Sequence, residues 1–181
     1  MVKVTAIIGS PRKGGNGDLI VDETLKALQE ENVEINKYYL DKYRIEPCHA
    51  CNHCGEGVDC VTLDDGAKII DELQKSDITI LTTPIYYGQM SAQTKKLVDR
   101  FYSVSKNPLK NFKGKLFLIF THAQAEGVYD SYIELTENLF KALGWDLTST
   151  LDVGNVSEAG SVKKQENILK EAYEIGENLL N

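Results

Sequence analysis

Short aliphatic and β-branched runs alternate with helix-patterned segments along the whole chain, and this alternation limits the fold more than any other feature. Val2 to Ile8 is apolar and β-rich, and breaks at Gly9-Ser10-Pro11. Val33 to Leu40 places Val33 and Ile35 alternately with polar residues. Ile78 to Thr83 is a third run, ended by Pro84, and Leu116 to Phe120 is a fourth, almost wholly apolar. Leu147 to Val153 alternates again. Helices are expected between these runs. One starts near Asp18, its expected N-cap, with Val21, Leu25 and Leu28 on one face. Asp64 or Asp65 caps a second that ends near Lys75, and Ser91 caps a third with Leu97, Val98 and Phe101 as its buried stripe. A fourth spans about Val128 to Leu143 and stops at Gly144; a last one runs from about Val162 to Leu180.

Strand–helix alternation means a parallel sheet with helices on both faces. The first, third and fourth runs are apolar throughout, as strands buried on both faces are. The second and fifth alternate, as half-exposed edges do. The expected class is therefore α/β, a doubly wound five-stranded parallel sheet ordered 2-1-3-4-5. That is the flavodoxin-like order, with its ligand crevice at the carboxyl ends of strands one and three. Residues 1–181 read as a single domain with a cysteine-bearing insertion at about 41–63.

The composition, 42% hydrophobic and 26% charged over 181 residues, is that of a globular domain. A net charge of −7 argues against nucleic acid and against an anionic membrane surface. No apolar run approaches the roughly 18 residues that span a bilayer. The N-terminal run lacks the basic flank and cleavage pattern of a signal peptide. A reducing, cytoplasmic setting is expected, in which clustered cysteines are metal or redox groups rather than disulfides.

Three segments carry the chemistry. Gly9 to Asp18 follows a strand and opens a helix, and includes Ser10, Arg12, Gly15, Asn16 and Gly17. Glycines admit an anion to the backbone, and the helix N-terminus favours negative charge. Ser10 and Asn16 add neutral hydrogen-bonding groups and Arg12 a fixed cation. The loop is neither G-x-x-x-x-G-K-[ST] nor G-x-G-x-x-G, which speaks against a nucleoside triphosphate and a Rossmann dinucleotide. The second segment, Pro84 to Met90, is read as a loop with two tyrosines and a glycine at the switch point. The loop Thr121 to Gly127 is expected to border the same crevice; a lone loop histidine such as His122 is more often a solvated surface group than a catalyst, and no general acid or base is assigned.

The third segment holds Cys48, Cys51, Cys54 and Cys60, all four cysteines of the chain. A [4Fe–4S] cluster, a zinc site and metal-free thiols all remain open. The spacing begins like the bacterial ferredoxin run, but its last gap is longer and no proline follows Cys60. Structural zinc usually takes two separated pairs, though His49 and His53 lie in reach by sequence.

Gly9-Ser10-Pro11-Arg12-x-x-x-Asn16 resembles the phosphate loop of the NADPH-dependent FMN reductase group. Thr83-Pro84-Ile85-Tyr86-Tyr87-Gly88 and Ser91-x-x-x-Lys95-x-x-x-Asp99-Arg100 resemble that group's second signature. The resemblance implies that Ser10, Arg12 and Asn16 hold the FMN phosphate. It implies that Pro84, Ile85, Tyr86, Tyr87 and Gly88 face the ring, with backbone amides near Gly88 and Gln89 at its polar edge and Thr121 and His122 on the third side. Gly17 departs from the group's usual Ser or Thr and implies weaker FMN binding. The cysteine segment resembles that of the iron–sulfur flavoprotein family. By that resemblance Cys48, Cys51, Cys54 and Cys60 ligate a [4Fe–4S] cluster, NAD(P)H is a transient donor, and chains associate as a homodimer or homotetramer with the cluster of one near the flavin of another. The expected function is an oxidoreductase passing electrons between FMN and the cluster, to a small-molecule or protein redox partner. The alternatives are a cluster-free NAD(P)H-dependent FMN or quinone reductase and a non-enzymatic flavodoxin-like electron carrier.

Overall fold

The structure is a computed structural model that describes residues 1–29 and 32–180. Its elements are β1 (Val2–Ile8), α1 (Asn16–Ala27), β2 (Val33–Tyr39), α2 (Asp65–Lys75), β3 (Ile78–Tyr86), β4 (Gln89–Met90), α3 (Ala92–Arg100), α4 (Tyr102–Ser105), β5 (Lys115–Thr121), α5 (Asp130–Ala142), β6 (Asp146–Val153) and α6 (Glu166–Leu179). The parallel strands run in the order β2-β1-β3-β5-β6, which is the expected order once the short β4 is set aside. In β1, Ile7 and its neighbour Ile8 point to opposite cores. Val4, Ala6 and Ile8, with Ile80, Phe117 and Ile119, pack against Ile20, Val21 and Leu25 of α1 and Ala172 and Leu179 of α6. Leu81, Leu116, Leu118 and Phe120 pack with Ile69, Leu73, Leu97, Phe101 and Phe140 on the other face. Two-sided burial is why the central strands read as unbroken apolar runs, while β2 is half-buried along its length. Among the described residues no helix is long and apolar enough to cross a membrane.

The structure corrects several boundaries. The third strand does not stop before Pro84 but continues to Tyr86. β1 has already ended, with Ile8 opposite Thr82, so the buried Pro84 pairs only with Thr121 of β5 and a missing N–H is tolerated on the β1 side. The expected loop 84–90 is a hairpin: Ile85 pairs with Met90 and Tyr86 with Gln89. Its turn residues Tyr87 and Gly88 have φ of 50° and 77°, as a two-residue type I′ turn demands. The first helix starts at Asn16 with Gly15 as N-cap, not at Asp18. Asp18 sits inside the first turn and its carboxylate accepts the Gly14 N–H at 2.7 Å, the reach-back of an acid at the third helical position. α5 begins at Asp130 rather than Val128. A separate 3₁₀ turn, Ser161–Lys164, precedes α6, and its Val162 N–H is held by the Asn16 side chain. The caps at Asp64 and Ser91 are as expected; each side chain accepts a first-turn N–H, from Ala67 and Thr94 respectively.

Candidate functional site

At the carboxyl ends of β1, β3 and β5 a cavity of about 160 Å³ is lined by Ser10, Arg12, Gly15, Asn16, Gly17, Pro84, Ile85, Tyr86, Thr121, His122 and the 156–159 loop. Four segments far apart in sequence, the loop after β1, the end of β3 and the loops after β5 and β6, meet here because parallel strands end side by side. A hydroxyl network joins the first two. Ser91, the cap of α3, donates to the Gly9 carbonyl at 2.6 Å, and Thr94 Oγ1 lies 3.1 Å from Thr83 Oγ1. Gly9 has to be glycine: a Cβ there would lie 1.9 Å from Thr94 Oγ1 and 2.8 Å from the Thr82 carbonyl. Asn16, Gly17 and Asp18 bear the first N–H groups of α1, which have no partner within the helix. Arg12 is exposed, and its guanidinium donates to the Ser157 carbonyl at 3.4 Å. Ser10 Oγ accepts the Arg12 N–H at 3.1 Å, which leaves its O–H free to donate.

Asn16 corrects a sequence-based assignment. Its Nδ2 donates to the Val156 and Glu158 carbonyls at 3.3 and 2.8 Å, and its Oδ1 accepts from Val162 at 3.1 Å. The side chain is spent buckling the loop after β6 to the start of α1. Only its backbone N–H is left for an anion. The hairpin makes a second division. Tyr86 lines the cavity, whereas Tyr87, Gly88 and Gln89 do not, and Tyr87 stands fully exposed at the turn.

His122 is buried rather than solvated. Its Nε2 lies 2.5 Å from Asp152 Oδ1, and Tyr129 packs on it edge-to-face at 4.8 Å. The other Asp152 oxygen accepts the Gly127 N–H at 2.8 Å. Asp152 thus pins the loop that walls the cavity. In the sequence Asp152 is one polar residue of the alternating run Leu147 to Val153, and nothing local pairs it with His122.

The cysteine segment folds back through Ala50 and Asn52, both at positive φ, into a 3₁₀ turn, His53–Glu56. Cys54 is buried, Cys48 and Cys51 are exposed and Cys60 lies between. All four are free thiols. Burial pushes the Cys54 thiol above its ordinary range, and the Cys60, Cys48 and Cys51 sulfurs each push it further. Tyr102 donates to Asn52 Oδ1 at 3.1 Å and Asn107 to the Gly57 carbonyl at 2.9 Å, which docks the segment on α4 and the turn beyond it. Its two ends are tied by Arg100. Nη1 donates to both Asp64 oxygens (3.2 and 3.0 Å) and to the Glu46 carbonyl (3.2 Å), and Nη2 to Thr62 at 2.9 Å. Among the described residues no group of three His, Cys, Asp or Glu side chains converges as a metal-ligand set.

Residues 2–157 match the NADPH-dependent FMN reductase family. The chain belongs to that family. It is similar to an iron–sulfur flavoprotein of Methanocaldococcus jannaschii, 41% identical over 55% of this chain and 51% of the relative. An iron–sulfur flavoprotein of Archaeoglobus fulgidus is 34% identical over 63% of this chain and 51% of the relative. The chain thus spans about half the length of these curated relatives. A solved FMN-dependent NADH-azoreductase of Bacillus anthracis, in complex with FMN, has the same fold, with a TM-score of 0.72 at 10% identity over 100% of both chains.

The cavity fits the phosphate end of the family's FMN: a fixed cation, free hydroxyl and unpaired helix-start N–H groups surround a gap that glycine keeps open. At about 160 Å³ it is below the roughly 300–1,000 Å³ of sites that engulf a ligand. Much of a flavin ring held here would therefore stay open beyond Tyr86. No cysteine lines the cavity. The thiols suit an iron–sulfur cluster as a donor set, all soft and on one compact segment.

Proposed function

We propose that the chain is an FMN-dependent oxidoreductase that exchanges electrons with a [4Fe–4S] cluster on Cys48, Cys51, Cys54 and Cys60. The meeting of the first loop, the β3 end and the β5 end around one anion-ready cavity carries the flavin half. Ser10, Arg12 and the α1 N–H groups bind the phosphate; Pro84, Ile85 and Tyr86 border the ring; Thr121 and the Asp152-pinned His122 loop exclude water from its third side. FMN supplies hydride acceptance from NAD(P)H, and a cluster passes electrons singly. Four soft thiols on one compact segment and the names of the relatives support the cluster half. Because no cysteine lines the flavin cavity and the ring's outer face is open, we propose a homodimer or homotetramer in which a second chain brings its cysteine segment to that face. Free thiols suit a reducing cytoplasm, with a small-molecule or protein redox partner.

The exposed positions of Cys48 and Cys51 and the lack of a converged ligand set among the described residues favour a second reading, a cluster-free NAD(P)H-dependent reductase. Protein purified without oxygen separates the two. Iron and acid-labile sulfide at four per cluster-bearing chain are expected, and flavin without iron would leave the second reading. Cys51→Ser is expected to remove the iron while FMN stays bound. Loss of FMN as well would show that the segment shapes the flavin site. NAD(P)H oxidation with a soluble acceptor distinguishes either enzyme from an electron carrier.

A further inference from the structure

Thr82 lies on β3 directly beneath the first turn of α1. The residue is 1% exposed, and its Oγ1 is buried without a hydrogen-bond partner. A Cβ built on Gly17 would stand 2.2 Å from that oxygen. The hydroxyl therefore fills the space that a side chain at position 17 would take. Gly17, the residue against which that hydroxyl packs, itself lines the cavity. An unpaired buried hydroxyl weakens a fold, and valine offers the same shape without that penalty. Among the described residues the Thr82 hydroxyl has no hydrogen-bond partner to offset that cost.

A return exists once an anion sits at the start of α1. The Asn16 amide is committed to the 156–162 loop, so the side-chain donors left at the first loop are Ser10 and Arg12. We infer that Thr82 is a further phosphate ligand, donating its O–H to the anionic group held by the first turn of α1. The hydroxyl comes from the neighbouring strand instead of from position 17, and Gly17 is small because Thr82 occupies its place. This inference rests on the flavin reading above, with the FMN phosphate as the anion.

Riboflavin shares the ring and ribityl chain of FMN and lacks only the phosphate, so the pair isolates the contact. Binding of both to the wild-type chain, Thr82→Val and Thr82→Ser is read by flavin fluorescence, alongside thermal melting of the flavin-free proteins. Thr82→Val is expected to weaken FMN binding by about 10- to 100-fold, the worth of a hydrogen bond to a charged group. Riboflavin affinity should be unchanged, and Thr82→Ser should keep FMN affinity. Flavin-free Thr82→Val should melt at the wild-type temperature or above it, since it loses an unpaired hydroxyl. Wild-type FMN affinity in Thr82→Val, or an equal loss for riboflavin, would overturn the assignment. A wild-type chain that binds neither flavin would instead remove the flavin reading on which it rests.

Discussion

Arg100→Met is expected to lower the unfolding free energy by about 3–5 kcal/mol, the usual result of removing one member of a buried ion pair. The Arg100 and Asp64 side chains are 1% and 6% exposed, so the variant leaves a carboxylate with little access to water. Urea unfolding at neutral pH reads the loss; a value below about 1 kcal/mol would show the pair to be no more than a surface bridge. The consequence is local as well. Arg100 binds the carbonyls of Glu46 and Thr62, at the two ends of the cysteine segment, so residues 47–61 should be cut faster by a protease in the variant. Acid should act on the same clamp. Burial alone would raise the Asp64 carboxyl, but the N–H groups of Glu46 and Ala67 and the Arg100 guanidinium outweigh it and hold it below the ordinary range. A depressed carboxyl contributes its full stability above the unfolded value, near 3.9, and loses it as pH falls through the folded one. The stability gap between wild type and Asp64→Asn should therefore narrow on acidification below about pH 4.

Phe112→Ala should cost about 3–5 kcal/mol, as aromatic truncations in cores do. Phe112 is 1% exposed and stacks on Trp145 with centroids 3.8 Å apart and planes 8° apart. Phe101 meets both rings edge-on, at 4.8 and 5.7 Å. Removing the stacked ring opens a void that these rigid neighbours cannot close. Trp145, the single tryptophan of the chain, donates to Thr79 Oγ1 at 3.3 Å and is 3% exposed. Its emission should shift to the red in the folded variant as water enters. FMN affinity should hold, because neither Phe112 nor Trp145 lines the cavity. A small stability loss with unshifted emission would mean that the pocket collapses around the smaller side chain.

The parallel sheet was legible because two-sided burial leaves an unbroken apolar run, and strand edges leave an alternating one. The segments of the candidate site were legible for a related reason: a glycine-rich turn after a strand has few uses other than close approach to a ligand. The errors cluster where a side chain chose a partner distant in sequence. Asn16 was read as a phosphate donor and is instead saturated by the 156–162 backbone. His122 was read as solvated and is buried against Asp152. Pro84 was read as a stop, although β1 ends before reaching it, so no N–H is needed on that side.

The sequence by itself determined the alternation of elements, the order of strands, the helix caps at Asp64 and Ser91 and the four-cysteine segment. Each of these follows from residues a few positions apart, where periodicity, φ preference and capping act. Only the tertiary structure decided how the amide of Asn16 is spent, that Arg100 closes the neck of the cysteine segment and that Thr82 stands in the space beside Gly17. Those are contacts between elements, set by which strands lie side by side and by the shortage of room between them. A hydroxyl two residues before a proline has no local mark of function; it acquires one when the helix packed above it lacks a side chain.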